Sequence, residues 1–240
     1  MAKPQRRMID LLGDSVEFEV RRSSAASKPR IDVDIHGVTV VIPQNEDIQP
    51  SKILRENAAW VVDKQRSYEA YREQIPDRTF EVGESFPLLG KDRELVIESR
   101  TKNGVDEDTI RLRESAVKQS SVKQVLENFY RRQARDFFTN RIEQYAERMD
   151  VEYDKIEVRN QRTKWGSCST TGTLGLNWRL LMAPPDVAEY VVIHELAHLR
   201  EQNHTDEFWS YVEEYDSSYK EHNRWLKENS VQLIFTPDDL

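Results

Sequence analysis

Apolar and polar residues alternate through much of the first half of the chain. In Ser15-Val16-Glu17-Phe18-Glu19-Val20-Arg21 every second residue is apolar, and the same holds for Arg30-Ile31-Asp32-Val33-Asp34-Ile35. Gly37 then turns the chain into Val38-Thr39-Val40-Val41-Ile42. A period of two puts the apolar side chains on one face, which predicts half-buried strands. Arg93-Glu94-Leu95-Val96-Ile97 and Thr109-Ile110-Arg111-Leu112-Arg113 continue the pattern, so residues 15–113 read as mainly β. Gly83, Gly90 and Gly104 mark turns. One helix interrupts the strands. Pro50-Ser51 can open it, and Leu54, Ala58, Val61, Gln65 and Tyr68 follow at helical spacing.

The period changes near residue 115. Val122, Leu126, Phe129, Phe138, Ile142, Tyr145 and Met149 describe one long amphipathic helix. A short strand, Lys155-Ile156-Glu157-Val158, precedes the loop Arg162-Thr163-Lys164-Trp165-Gly166-Ser167-Cys168. A second strand is expected from Thr173 to Leu181. Pro184-Pro185 opens another helix, with Asp186 and Glu189 suited to the positive end of its dipole, running to about Gln202. Two further helices fill the C-terminus. The pattern is that of an α+β protein with a β-rich domain over 1–115 and a second domain over 116–240.

The helix after Pro185 carries His194-Glu195-Leu196-Ala197-His198. Residues four apart lie one turn apart on one face, so both imidazoles can reach one ion. Glu195 is turned about 100° from His194, where a carboxylate reaches water on the ion rather than the ion itself. A catalytic zinc takes three protein ligands and keeps one open position. His204 is the candidate third ligand. Asn203 tolerates the left-handed conformation that ends many helices, and Thr205 suits the N-cap of the next helix, with Asp206 and Glu207 in its first turn. The competing view is that these histidines merely decorate an amphipathic helix.

Composition narrows the function classes. The 240 residues are 38% hydrophobic and 32% charged, enough for a core under a charged surface. A net charge of −8 argues against nonspecific nucleic-acid binding, which needs a basic field. Cys168 is the single cysteine, which excludes intramolecular disulfides and suits a reducing compartment. The apolar run after the basic N-terminus is too short for a secretion signal, and no run approaches the roughly 18 apolar residues of a membrane span. A cytoplasmic protein is expected. Oligomeric state is not readable.

Several separate motifs carry a family resemblance. They are Arg162-x-Lys164-Trp165-Gly166-Ser167-Cys168-Ser169, the strand ending in Asn177, Pro184, Tyr190 through Leu199, Asn203-His204 and Phe208-Trp209. Together they resemble the YgjP-like metal-dependent hydrolases, a family related to the SprT and WLM zinc peptidases. The spacing of His204 also matches the metzincins, but Glu201 stands where those enzymes have glycine. The resemblance covers roughly residues 120–230 and implies one zinc ion, hydrolysis and a zincin-like catalytic domain. That domain would combine a long helix, a short antiparallel sheet and an active-site helix. It also implies an edge strand beside the metal helix, for which Leu174-Gly175-Leu176-Asn177-Trp178 is the candidate. Gly175 there would allow close backbone approach.

The substrate side is thus assigned to Arg162, Lys164, Gly175 and Asn177, the two cations holding an oxyanion, phosphate or carboxylate. Trp165-Gly166-Ser167-Cys168 is either a cleft wall or a tight turn with a buried Trp. Cys168 is a thiolate ligand, an inhibitory switch or a small buried hydrophobe. Tyr211, Tyr215 and Tyr219 either pack or supply an electrophile. Glu201 and Asp206 are candidates to orient a ligand imidazole. Three functions remain open: a zinc metallopeptidase, a zinc hydrolase of a non-peptide substrate such as a nucleotide phosphoanhydride, and a zinc-stabilised binding module without activity.

Overall fold

The computed structural model describes residues 6–34, 37–161 and 164–236. The chain divides between Ile75 and Pro76 into two compact units, each with its own core.

The first unit is a four-stranded sheet with two helices. Its strands are β1 (Arg7–Leu11), β2 (Asp14–Ser23), β3 (Arg30–Asp34) and β4 (Gly37–Pro43), in the order β1-β2-β4-β3. β1 was not anticipated. It pairs antiparallel with β2 through a two-residue turn in which Leu12 (φ 57°) and Gly13 (φ 92°) both have positive φ, the conformation of tight hairpin turns. The alternation expected of β2 and β4 is real. Val16, Phe18, Val38, Val40 and Ile42 fall on the buried face, and Phe18 is paired with Val38.

The single helix expected after Pro50 is two, α1 (Pro50–Glu56) and α2 (Ala58–Glu73). Asn57 interrupts them at φ −116°, ψ 21°, its side-chain amide donating to the Ile53 carbonyl at 2.9 Å. An asparagine bonding its own backbone in this way competes with helix continuation.

The second unit begins with the strands β5 (Ser85–Leu88), β6 (Lys91–Glu98), β7 (Gly104–Val105) and β8 (Thr109–Arg113), in the order β5-β6-β8-β7. A short α3 (Glu114–Gln119) leads to α4 (Val122–Met149). Phe86, Leu88, Leu95, Ile110 and Leu112 share one buried cluster with α4 and the elements after it. This shared core places the sheet of residues 85–113 in the second unit, although the period of the sequence changes only near 115.

α4 spans 28 residues. Its N-cap Ser121 accepts from the Gln124 N–H, and it ends where Asp150 turns left-handed at φ 49°. Its buried stripe includes Leu126, Phe129, Phe138, Ile142 and Met149, as the spacing predicts.

Three more strands follow: β9 (Lys155–Arg159), β10 (Gly166–Cys168) and β11 (Thr173–Asn177). β11 is shorter than the strand expected to reach Leu181. Asn177 caps a 3-10 turn over Trp178–Met182 by accepting from the Arg179 N–H. The sheet order is β10-β11-β9, with β10 antiparallel and β9 parallel to β11. The sheet is therefore mixed rather than antiparallel. The chain reverses between β9 and β10 and again in the β10–β11 hairpin, so β11 runs with β9.

The remaining elements are α5 (Pro185–Ala197), α6 (Asp206–Tyr215) and α7 (Tyr219–Asn229). α5 is buried on nearly every face, packed against α4, α6, α7 and β10. Such a helix is apolar all round, which is why Val187, Ala188 and Val191–Ile193 fill it. The architecture is mixed α+β, with sheets first and a zincin-like catalytic part after the long helix. Among the described residues no helix is long and apolar enough to cross a membrane.

Candidate metal centre

α5 is regular through Ala197, with His198 as its C-cap at φ −65°, ψ −17°. It therefore ends earlier than Gln202. The chain continues in tight turns, with Leu199 and Arg200 donating to the carbonyls of Leu196 and Ala197. Asn203 is not left-handed. The corner is made instead by a short bond from Thr205 N–H to the Asn203 carbonyl at 2.8 Å. Thr205 is the N-cap of α6, its side chain accepting from the Phe208 N–H, with Asp206 and Glu207 in the first turn.

This corner returns His204 to α5. Ligand atoms of His194, His198 and His204 lie within 4.8 Å of one another, and the Nε2 atoms of His194 and His204 are 3.1 Å apart. Two nitrogens of a tetrahedral zinc site, each about 2.0–2.1 Å from the ion, would be about 3.3 Å apart. His198 Nδ1 sits 3.1 Å from the Glu201 carbonyl. A carbonyl only accepts, so Nδ1 carries the proton and Nε2 keeps its lone pair for an ion. Glu201 thus supplies the orienting contact through its backbone, not its carboxylate. Burial, with the neighbouring His198 and His204, lowers the pKa of His194 to about 3, and burial lowers that of His198. Neutral imidazoles at neutral pH are the metal-binding form. The residues therefore fit a metal ion.

Aromatic rings hold the ligands. Phe208 packs 4.6 Å from His198 and 5.0 Å from His194. His204 stacks on Trp209 at 5.5 Å, and Trp209 stacks on Tyr219 at 5.3 Å. Tyr211 donates its hydroxyl to the Met149 carbonyl. Tyr211 and Tyr219 are thus engaged in packing.

Glu195 is 6% exposed and faces β10. A Cβ on Gly166 would lie 2.3 Å from its Oε1 and 2.6 Å from its Cγ. Any side chain at position 166 would therefore displace that of Glu195, and the Trp165-Gly166-Ser167-Cys168 segment is the wall against which the carboxylate rests. The sequence reads this segment as a loop, whereas Gly166–Cys168 forms the strand β10, and nothing local marks the glycine as room for Glu195. Burial pushes the Glu195 pKa up to about 8, opposed by the Lys164 cation. A dication beside it acts in the same direction as Lys164.

The cleft over this centre measures about 520 Å³ and includes Lys164, Gly166, Tyr190, His194, Glu195 and Lys227 in its lining. Lys164 thus lies where the sequence suggests, whereas Arg162 falls outside the described residues. Gly175 and Asn177 lie elsewhere. β11 is the central strand, paired on both sides, so the expected edge strand is an interior one, and of the two edges, β9 and β10, it is β10 that meets Glu195. The space over Gly175 is taken by Arg159 and Ser167. The Asn177 amide donates to the Gln161 carbonyl at 2.7 Å and holds the loop before Lys164. Cys168 is half-buried, and its thiol is pushed up to about 11 by burial and Glu195, so it is protonated at neutral pH. Lys227 was not singled out from the sequence, and Tyr190 entered there only as part of a family motif, with no role assigned. Nothing local distinguishes them from other helix residues.

Three imidazoles and a buried carboxylate in the His-Glu-x-x-His arrangement, on a zincin-like α+β scaffold, define a metal-dependent hydrolase. The chain belongs to the YgjP-like family: the model of the YgjP-like metallopeptidase domain matches residues 27–229. Among curated proteins none matches. Solved structures similar to the chain include the metallopeptidase zymogen abylysin of Pyrococcus abyssi. It is 22% identical with a TM-score of 0.36, over 40% of this chain and 99% of that one. Another is the zymogen jannalysin of Methanocaldococcus jannaschii. It is 21% identical with a TM-score of 0.36, over 39% of this chain and 96% of that one.

Proposed function

We propose that the protein is a peptidase working with one zinc ion held by His194, His198 and His204, with Glu195 as general base. The observation that carries this reading is the convergence of three imidazoles beside a carboxylate packed on an edge strand. Zinc bound there would supply Lewis acidity and lower the pKa of a water on it to about 7.

The chain's own residues do the rest. Glu195 takes the proton of the attacking water and returns it to the leaving nitrogen. The outer edge of β10 offers backbone donors and acceptors to an extended chain. Lys164 and Lys227 have no ion-pair partner among the described residues and give the cleft a positive rim in a protein of net charge −8. They favour carboxylate groups on the substrate. An exposed strand edge beside the base supports a peptide over a phosphoanhydride, since strand pairing reads only an extended backbone. The lone Cys168 suits a reducing, cytoplasmic setting.

Glu195→Gln tests the reading. It is expected to bind one zinc per chain and to cut peptide turnover by about 1,000-fold. Turnover retained at full zinc content would sink it. Assays on casein-derived peptides and on nucleoside triphosphates separate the substrate classes, and cleavage of the triphosphates alone would replace peptidase with phosphoanhydride hydrolase.

A further inference from the structure

Tyr190 lines the same cleft as His194 and Glu195 yet has no part in holding the ion or moving the proton. It lies one turn before His194 on α5. Its ring is clamped, edge-on to His194 at 5.9 Å and tilted against His222 at 6.3 Å. His222 is itself fixed, its Nδ1 lying 2.8 Å from Asp216 Oδ2, while Asp216 Oδ1 accepts from the Ser218 N–H at 3.1 Å. The residue is only 5% exposed.

A buried tyrosine usually gives its hydroxyl a protein partner. Three others in this unit do so, one buried and two half-buried, whereas the buried Tyr219 has no such partner among the described residues but is stacked on Trp209 and is not in the lining of the cleft. Tyr130 donates to the Pro87 carbonyl, Tyr145 to Glu189 and Tyr211 to the Met149 carbonyl. The Tyr190 hydroxyl has no hydrogen-bond partner among the described residues, and it is not sealed from the cleft. A donor on a rigid helix, clamped on two sides and without a protein partner in the cleft that His194 and Glu195 line, is arranged for a ligand atom.

We propose that the Tyr190 hydroxyl is a catalytic hydrogen-bond donor to the substrate carbonyl oxygen as that oxygen becomes anionic. The inference rests on the hydrolase reading above. As the water oxygen bonds to the carbonyl carbon, the C=O π electrons move onto the carbonyl oxygen, and the water proton passes to Glu195. When the C–N bond breaks, the C=O bond re-forms and Glu195 protonates the nitrogen. Tyr190 keeps its proton throughout, and its hydrogen bond strengthens with the charge it meets. His222 and Asp216 are positioning residues that hold the ring.

Tyr190→Phe removes one oxygen and keeps the ring. The zinc-loaded variant is expected to lose about 100-fold in kcat, with KM within about twofold of wild type, because the lost contact belongs to the transition state. Calorimetric titration with a phosphinic peptide, a stable mimic of the tetrahedral state, is expected to show a matching loss of affinity. Zinc content and melting temperature are expected to be unchanged. Wild-type values of kcat and phosphinate affinity would overturn the proposal, as would loss of zinc or early melting, which would assign Tyr190 to packing. A wild-type protein that holds zinc but neither cleaves peptides nor binds the phosphinate would overturn the hydrolase reading itself.

Discussion

At the scale of single residues, the site depends on an absence as much as on its donors. The Glu195 carboxylate occupies the volume where any side chain at position 166 would stand. Gly166→Ala is expected to displace the base by a few tenths of an ångström or more while leaving the three imidazoles in place. Misplacement of a reacting group by about 1 Å can cost about 100-fold in rate. Peptide turnover of the variant should therefore fall steeply at unchanged zinc content, and full activity would show that Glu195 is not held by this wall. His194 and His198 were legible because an i, i+4 pair on a helix needs only local geometry. Gly166 was not, since the residue it makes room for is remote in sequence and meets it only through the packing of β10 on α5.

Elements differ in how much of their role is local. α4 followed its apolar stripe faithfully, capped by Ser121 and ended by Asp150. β11 did not behave as its sequence suggested. A run such as Leu174-Gly175-Leu176 has the same composition whether it lies at the edge or the middle of a sheet, and pairing with β9 placed it in the middle. The link between β7 and β8 permits a test by pH. Asp106 accepts from the Thr109 hydroxyl and N–H, the Asp108 N–H and the Arg111 guanidinium, and these bonds, those of Thr109 foremost, hold its pKa near 2. Unfolded aspartate titrates near about 3.9. The folded form therefore binds protons less readily, so this stabilisation is complete above about pH 4 and fades as the pH falls toward about 2. Urea midpoints of wild type and Asp106→Asn should differ at pH 6 and converge near pH 2. A gap that persists at pH 2 would mean that charge is not its cause.

At the scale of the molecule, every residue of the metal centre comes from the second compact unit, behind a core that runs from Phe86 to Phe235. A ligand that binds only the folded state stabilises it, by about 2.7 kcal/mol at a hundredfold excess over its Kd. Zinc should thus raise the melting temperature saturably, a chelator should reverse the rise, and His204→Ala should diminish it. A melting temperature indifferent to zinc would exclude the three-histidine site. By itself the sequence determined the helix with its two histidines and carboxylate, the long capped helix and the alternating strands, because these depend on periods within one segment. It also marked His204, by a cap motif next to it. The tertiary structure alone decided which strands are edges, that the sheet after residue 85 joins the core of the second unit, that Gly166 yields its space to Glu195, and that Tyr190 lines the cleft with His194 and Glu195. Each of those depends on contacts between segments far apart in the chain, where side-chain volume and strand pairing, rather than local period, choose the outcome.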